Sequence, residues 1–328
     1  MINTKYPTTK PSLNLDFANT KSLDPRITFR RGTPGTYYDG VTHVKAEENL
    51  LSYSEDFSQW LNGRVVLRST QSAPDGSTDA YKIEQASGET YSGYLLQTYN
   101  TSANKSYTFS VYAKAGTNRN YIILRTYLSN NRFTYFDLAN GVIDNVDERH
   151  SASISDAGNG WYRCSITYTP ISSSNVQFNV YFSDNNSSLT VADDGGFIYV
   201  WGAQLEQRDS VTSYTATNGA PKTKYQPKLM TAAADHARFD HDPITGESKG
   251  LLIEESRTNL IAYSEDFAND YWNHPRANVY TNAIAPDGTS SATELVANAS
   301  NAGGMSIYNN TITVSSPFTT SCYFKKRR

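Results

Sequence analysis

Tyrosine and arginine side chains are spaced along two neighbouring predicted strands in a pattern that could bind a sugar. Five residues share this property: Tyr121, Arg125, Tyr127, Arg132 and Tyr135. A half-exposed tyrosine ring can stack on the apolar face of a sugar, and an arginine can donate hydrogen bonds to its hydroxyls. These five residues could therefore form a glycan-binding patch. Ordinary cross-strand packing of tyrosines on an antiparallel sheet is the alternative, and the sequence leaves it open.

Three tryptophans offer larger rings for the same purpose, namely Trp60, Trp161 and Trp201. For each of them the pattern favours a packing role. Trp161 opens a strand after an Asn-Gly turn, and Trp201 lies in the apolar run FIYVWGAQL (197–205), which is typical of a buried strand. Trp60 has a counterpart downstream, Trp272, in a similar sequence context. We expect these rings inside the fold.

Acidic residues near predicted turns could hold a structural calcium ion, because carboxylate oxygens are the ligands that Ca²⁺ prefers. The candidates are Asp184, Asp193 and Asp194. They lack the DxDxDG spacing of a calcium loop, so the sequence favours Asx turns that close the loops. The two cysteines and five scattered histidines form no zinc motif, and we expect no cofactor.

Catalytic motifs are missing from the sequence. It has no GxSxG and no ordered Ser, His and Asp set. Adjacent carboxylates such as Glu254 and Glu255 point to opposite faces of a strand, so they cannot act as a pair. We predict that the chain is not an enzyme. Acids that meet across strands, as in glycoside hydrolysis, are the open alternative.

Composition narrows the class of protein. The 328 residues carry 29 Lys and Arg against 32 Asp and Glu, a net charge of -3, which argues against general nucleic-acid binding. Tyr, Phe and Trp make up 12% of the chain, far more than a disordered protein has. The N-terminal residues lack the apolar core of a signal peptide, and no run approaches ~18 apolar residues. We expect neither secretion by a signal peptide nor membrane insertion.

Short alternating segments separated by turn residues must position the candidate patch. Eight such segments follow one another: 93–99, 106–114, 121–128, 133–138, 151–155, 161–169, 175–182 and 197–205. Asn140-Gly141 and Asn159-Gly160 are typical turns between them. The spacing predicts an all-β fold, an antiparallel β-sandwich of jelly-roll type.

An internal repeat divides the chain. NLLSYSEDF (49–57) matches NLIAYSEDF (259–267) at seven of nine positions, APDG recurs at 73–76 and 285–288, and SVYAK (110–114) aligns with SCYFK (321–325). The second copy reaches only this point, whereas most strands of the first copy come after it. We therefore expect either that the native chain is longer or that another protomer completes the second copy.

The repeat gives a four-part organisation. Residues 1–48 are predicted to form an extended arm, rich in proline, with a tight turn at TYYDGV (36–41). Residues 49–216 are a complete sandwich module. Residues 217–258 are a linker, and residues 259–328 are an incomplete second copy. Such an arm has few apolar residues to form a core of its own. We therefore expect it to pack on another structure, for example another chain.

Eight phrases in the chain, taken together, resemble a known family. They are LDFANTKSLDPRITF (15–29), YSEDF (53–57), APDG (73–76), YTFSVYAK (107–114), GNGWYRC (158–164), WGAQLE (201–206), ARFDHDP (237–243) and GLLIEESRTNL (250–260). This set is similar to virion appendage proteins of tailed bacteriophages, of tail-fibre or head-fibre type, whose modules resemble carbohydrate-binding β-sandwiches.

The resemblance implies a structural protein of a phage virion, assembled in the host cytoplasm and docked by its N-terminal arm. Other virion proteins of the tail or capsid would then be partners, and a homotrimer is implied by analogy. The implied modules space or present a host-binding region. Alternatives are a glycan-binding adhesin that recognises a host surface polysaccharide, and a capsid decoration or head-fibre protein. We expect no nucleic-acid partner.

Overall fold

A computed structural model describes residues 13, 15–255, 259–297, 305–313 and 318–325. These residues form β-strands and one short 3-10 helix, Phe57–Gln59, capped by the Asp56 carboxylate. The strands in chain order are β1 (Gly35–Asn49), β2 (Leu61–Gly63), β3 (Val65–Gln71), β4 (Ala80–Gln85), β5 (Tyr94–Thr101), β6 (Tyr107–Ala115), β7 (Tyr121–Tyr127), β8 (Asn131–Asp137), β9 (Val142–Asn145), β10 (His150–Gly158), β11 (Trp161–Tyr168), β12 (Ser174–Ser183), β13 (Phe197–Glu206), β14 (Lys222–Ala232), β15 (Phe239–His241), β16 (Ser248–Leu251), β17 (Ala277–Ala283) and β18 (Ala292–Ala297).

The chain divides into two compact units. One is His43–Gln226, and the other combines Met1–Thr42 with Pro227–Arg328. The predicted complete module, 49–216, lies within the first unit. The predicted linker, 217–258, contains β14, β15 and β16. No helix in the described part of the chain has the length and apolar character needed to cross a membrane.

The first unit is an antiparallel β-sandwich of two six-stranded sheets. The first sheet has the order β10-β11-β6-β13-β4-β3, and the second has the order β2-β5-β12-β7-β8-β9. Neighbours in each sheet are mostly distant in sequence, so the chain crosses repeatedly between sheets, as in a jelly roll. The predicted fold class, all-β with an antiparallel jelly-roll-like sandwich, is confirmed.

The core follows from the period of two in the strands. In β6 the side chains of Tyr107, Phe109 and Val111 point inward, and in β12 those of Phe178 and Val180 do so. The rings of Phe109 and Phe178 meet between the sheets, with their centroids 5.6 Å apart. Burying each such side chain stabilises the fold by about 1.5–3 kcal/mol. Alternate positions therefore face outward on both sheets.

The eight predicted strand segments correspond to β5, β6, β7, β8, β10, β11, β12 and β13. The tight turn predicted at 36–41 is wrong, because β1 runs through it and pairs with β14. Gly40 has a φ of 77°, and the Asp39 carboxylate accepts hydrogen bonds from the backbone N–H groups of Val41 and Thr42. Turn-like local bonding is present, but the strand ladder continues past it.

The second unit contains two hairpins among its described residues. Strand β15 pairs with β16, and β17 pairs with β18. The N-terminal segment is tied to the end of β14, because the Arg31 guanidinium donates to the carbonyls of Ala232 and Ala233. The Asp235 carboxylate accepts in return from the Arg31 backbone N–H, at 2.8 Å.

Candidate functional site

The outward face of the second sheet carries most of the predicted patch. Strand β7 sends Ile122 and Leu124 into the core, so its odd-numbered residues face outward. The register between β7 and β8 places Tyr121 opposite Asp137, Ile123 opposite Tyr135, and Arg125 opposite Phe133. We call this surface the aromatic face. Its members are Tyr94, Tyr121, Arg125, Tyr127, Phe133, Tyr135, Asn179 and Tyr181.

A small apolar cluster supports the aromatic face. Ile123, Tyr135 and Tyr181 are buried together with Leu189, which comes from the loop between β12 and β13. Tyr94, Tyr121 and Phe133 pack against this cluster and stay partly exposed. The face therefore combines a rigid base with ring surfaces that remain open to solvent.

Arg125 lies at the centre of this surface, among three rings. Its guanidinium carbon is 4.5 Å from the centre of the Tyr127 ring and 5.7 Å from that of Tyr181. Phe133 is the third ring, at 5.8 Å. The Nη1–H group donates to the Tyr181 hydroxyl at 2.6 Å. The buried Nε–H has no acceptor, and in the part of the chain that the structure describes no carboxylate forms an ion pair with Arg125.

Asn179, on β12, is opposite Arg125 of β7 on one side and opposite Leu96 of β5 on the other. It is fully buried, and both polar atoms of its side-chain amide lack a hydrogen-bond partner. Leaving a buried polar group unpaired costs about 1–3 kcal/mol. Such a group in a folded protein calls for an explanation, and a ligand or an ordered water that completes the bonding is one.

Three tyrosine hydroxyls of the aromatic face have a pKa above the usual value. Burial raises the pKa of Tyr181 above its usual value, against the opposing effect of Arg125. Burial also raises the pKa of Tyr135 and of Tyr121. The Tyr121 hydroxyl lies 3.2 Å from the Asp144 carboxylate, to which it donates. The Tyr121 hydroxyl can therefore accept a further hydrogen bond, and the Tyr181 hydroxyl, which accepts from Arg125, keeps its own O–H to donate.

Arg132 is not part of this surface. It belongs to the even-numbered row of β8, opposite Thr126, which is the row that faces the other sheet. Its guanidinium carbon lies over the ring of Tyr168, 5.5 Å from the ring centre. Of the five predicted patch residues, the structure brings Tyr121, Arg125, Tyr127 and Tyr135 together and places Arg132 elsewhere.

The three candidate tryptophans are buried, which confirms the packing interpretation. Trp60, Trp161 and Trp201 are each at most 3% exposed. The indole N–H of Trp60 donates to the Tyr53 carbonyl at 2.8 Å, and that of Trp201 donates to the Asp79 carboxylate at 2.8 Å. Their burial, and the paired indole N–H groups of Trp60 and Trp201, indicate a structural role.

The centre of the outward face of the first sheet is covered, in contrast to the aromatic face. Tyr214 covers it, with its ring 4.7 Å from that of Trp201, and burial raises the pKa of its hydroxyl far above the usual value. Arg163 on this face is buried, and it donates to the Thr212 carbonyl at 2.6 Å and to the Ser110 hydroxyl at 3.1 Å. The segment after β13 thus supplies an acceptor to the Arg163 guanidinium, although the buried Nε–H of Arg163 has no partner among the described residues.

The three candidate calcium ligands have separate partners. Asp194 forms an ion pair with the buried Arg119 at 2.9 Å, and Asp193 accepts from the Gly88 backbone N–H. Asp184 accepts from the side chain of Asn185. Among the described residues, no group of three or more His, Cys, Asp or Glu could hold a metal ion. The structure does not bring the three aspartates together as a ligand set.

Sequence reasoning missed Asn179, Tyr181, Phe133 and Tyr94. Three of them could have been found from parity alone. In NVQFNVYF (175–182) the apolar residues occupy one face, so Asn179 and Tyr181 must share the other. Phe133 has the parity of Tyr135, whereas Arg132 does not.

Comparison with known proteins gives structural matches only. No family model and no curated protein matches the sequence. The carbohydrate-binding module TmCBM61, solved with β-1,4-galactotriose, matches 49% of this chain and 100% of its own, with 14% identity and a TM-score of 0.32. The CBM22-1 xylan-binding domain of Paenibacillus barcinonensis Xyn10C matches 51% of this chain and 99% of its own, with 14% identity and a TM-score of 0.31. The enzymatically active domain of bacteriophage CBA120 tailspike protein 4 matches 49% of this chain and 21% of its own, with 13% identity and a TM-score of 0.33.

Proposed function

We propose that the β-sandwich His43–Gln226 binds a glycan on its aromatic face. The observation that carries the proposal is that polar groups without hydrogen-bond partners lie next to aromatic rings that solvent can reach. Arg125 has a free Nε–H and no carboxylate partner among the described residues, and it lies between the half-exposed rings of Tyr127 and Phe133. Binding sites for small ligands typically combine apolar walls with a few convergent polar groups of this kind.

Each residue has a defined part in this proposal. The rings of Tyr127 and Phe133 stack on the apolar faces of sugar units. The Arg125 guanidinium swings from its ring contacts to donate to hydroxyls, and the amide of Asn179 beneath it then gains partners. The hydroxyls of Tyr121 and Tyr181 add further hydrogen bonds at the two sides. The glycan is bound and released without cleavage.

A glycan array followed by calorimetric titration of the full chain tests this function. Arg125→Ala and Tyr127→Ala should each weaken binding about 10-fold or more, since one charge-assisted hydrogen bond or one stacked ring contributes more than ~1.4 kcal/mol. Tyr199→Ala, a half-buried tyrosine on the first sheet, is the matched control and should bind normally. The sugar should be recovered intact. Absence of binding at millimolar sugar would overturn the proposal.

Asn179→Leu gives a sharper test, because it separates function from stability. Leucine fills a similar volume and removes an unsatisfied buried amide, so the free energy of unfolding should rise by about 1–3 kcal/mol. Glycan binding should weaken in the same variant. A residue kept only for packing would show no such opposition.

A second candidate function is that of a virion appendage, and the eight ordered phrases that resemble phage fibre proteins favour it. In this proposal the arm predicted at residues 1–48 docks the chain, as a homotrimer, on other proteins of the tail or capsid. Residues 1–34 are the part of that arm that precedes β1. Deleting residues 1–34 leaves β1 intact and should abolish co-purification with phage particles, while light scattering of the full chain should give the mass of three copies. Undiminished attachment of the shortened chain would contradict this role.

A further inference from the structure

The second copy of the repeat reproduces the β3–β4 hairpin in detail. In the first copy Val65 pairs with Gln85 and Arg68 with Lys82, followed by a bulge before Gln71 and Ala80. In the second copy the corresponding pairs, 212 residues later, are Ala277 with Ala297, Tyr280 with Glu294, and Ala283 with Ala292, with the same bulge. Arg64 and Arg276, just before the hairpins, have φ angles of 59° and 62°. The hairpin β17–β18 is therefore the same structural element as β3–β4.

The first copy shows what lies beside this hairpin. The edge of β4 that faces away from β3 pairs antiparallel with β13. In this register Ile198 is opposite Ile83 and Val200 is opposite Tyr81. The next residues of β13 bond the start of the copy. Asn49 donates from its side chain to the Ala203 carbonyl and accepts from the Leu205 backbone N–H. One strand thus joins the hairpin to the NLLSYSEDF segment.

Both partners of that strand recur in the second copy, but the strand does not occur among its described residues. Among the residues that the structure describes, strand β18 pairs with β17 alone, in a two-stranded sheet. Leu295, the counterpart of the buried Ile83, is 39% exposed. Asn259, the counterpart of the buried Asn49, is exposed, and its carboxamide oxygen accepts from the backbone N–H of Ile261 within its own turn.

We propose that β18 and Asn259 form a docking site for an extended strand of the β13 type. The occupant has apolar residues at alternate positions followed by Gly-Ala-Gln-Leu, as in FIYVWGAQLE (197–206). It pairs antiparallel with β18, with the counterpart of Ile198 opposite Leu295. Its later residues bond the side chain of Asn259. This strand addition satisfies an open sheet edge and covers an apolar side chain in one step.

A labelled peptide of sequence FIYVWGAQLE is the probe, and the full chain is the receptor. Fluorescence anisotropy should show saturable binding of one peptide per chain. Leu295→Lys should weaken it at least 10-fold, because the charge then faces the docked strand. Val296→Lys adds the same charge to the opposite face of β18 and should stay within about 2-fold of the unmodified chain. Asn259→Ala should weaken binding several-fold.

The register supplies an independent readout. In a Cys322→Ser background, Thr293→Cys should form a disulfide with the peptide carrying Val200→Cys, because their counterparts Tyr81 and Val200 are opposite each other. The peptide carrying Phe197→Cys should not cross-link at this position. No peptide binding, equal loss in both lysine variants, or cross-linking to both peptides would overturn the proposal. A dimer of the chain would also overturn the proposal if Leu295→Lys dissociates that dimer and the peptide does not compete with its formation.

Discussion

The two copies of the repeat share their local geometry and differ in what surrounds it. In the first, the indole N–H of Trp60 donates to the Tyr53 carbonyl at 2.8 Å, and in the second Trp272 donates to the Tyr263 carbonyl at 2.9 Å. The APDG turns close with the same backbone hydrogen bond, from Ala73 to Ser77 and from Ala285 to Thr289.

The two copies differ in how deeply their corresponding side chains are buried. Phe57 is fully buried in the sandwich core, whereas its counterpart Phe267 is only partly buried. Both rings keep the same tryptophan neighbour, at 5.1 Å from Trp60 and 5.0 Å from Trp272. A short sequence is thus enough to form the turn and the ring pair, but the partner strands decide whether the ring leaves water.

The largest expected effect is a difference between the copies when the same phenylalanine ring is removed from each. Phe57→Ala should lower the free energy of unfolding of the sandwich by about 3–5 kcal/mol, since it removes a buried ring and leaves a cavity. In calorimetry this corresponds to a decrease in the melting temperature of about 10 °C for a unit of this size. Phe267→Ala should change the same transition by less than about 1 kcal/mol. Similar shifts in the two variants would show that the copies are equally packed.

A second difference is a titratable group that the first copy buries. His150 lies between the sheets, with its ring nitrogens 2.9 Å from the hydroxyls of Thr126 and Thr134. Burial lowers its pKa from 6.5 to about 4, a trend that Arg132 reinforces and Asp147 opposes. It occupies β10, a strand for which residues 259–325 have no counterpart among those described.

Acid should therefore weaken the sandwich through this histidine. Between about pH 6.5 and pH 4 the unfolded chain binds a proton that the folded chain excludes, so stability falls as the pH is lowered through this window. The full shift corresponds to about 3 kcal/mol at 1.36 kcal/mol per pKa unit. Denaturant unfolding between pH 7 and pH 4 measures it, and His150→Gln should flatten the dependence. An unchanged slope in that variant would assign the acid sensitivity to other groups.

The parts of the structure that the sequence could predict are those that depend on local alternation. The strands β5 to β8 and β10 to β13 follow from period-two patterns and turn residues. The shared surface of Tyr121, Arg125 and Tyr127 could be predicted, because these residues have the same parity within one strand. Including Arg132 ignored that parity, and Asn179 was missed because its importance comes from an unpaired amide. Whether a side-chain amide finds a hydrogen-bond partner depends on which strands become neighbours. Neighbouring strands in these sheets are mostly distant in sequence, so local patterns do not predict it.

The smallest expected effect should be equal in the two copies, which makes it a test of their likeness. Gly76 and Gly288 both have a φ of 88°, a conformation that strains any residue with a Cβ. No atom lies within 4 Å of a Cβ added at Gly76, so Gly76→Ala introduces backbone strain without a clash, about 1 kcal/mol. Amide exchange in β4 should accelerate in Gly76→Ala, and exchange in β18 should accelerate by a similar factor in Gly288→Ala. Acceleration in only one copy would mean that the shared turn is held by its surroundings and not by its own sequence.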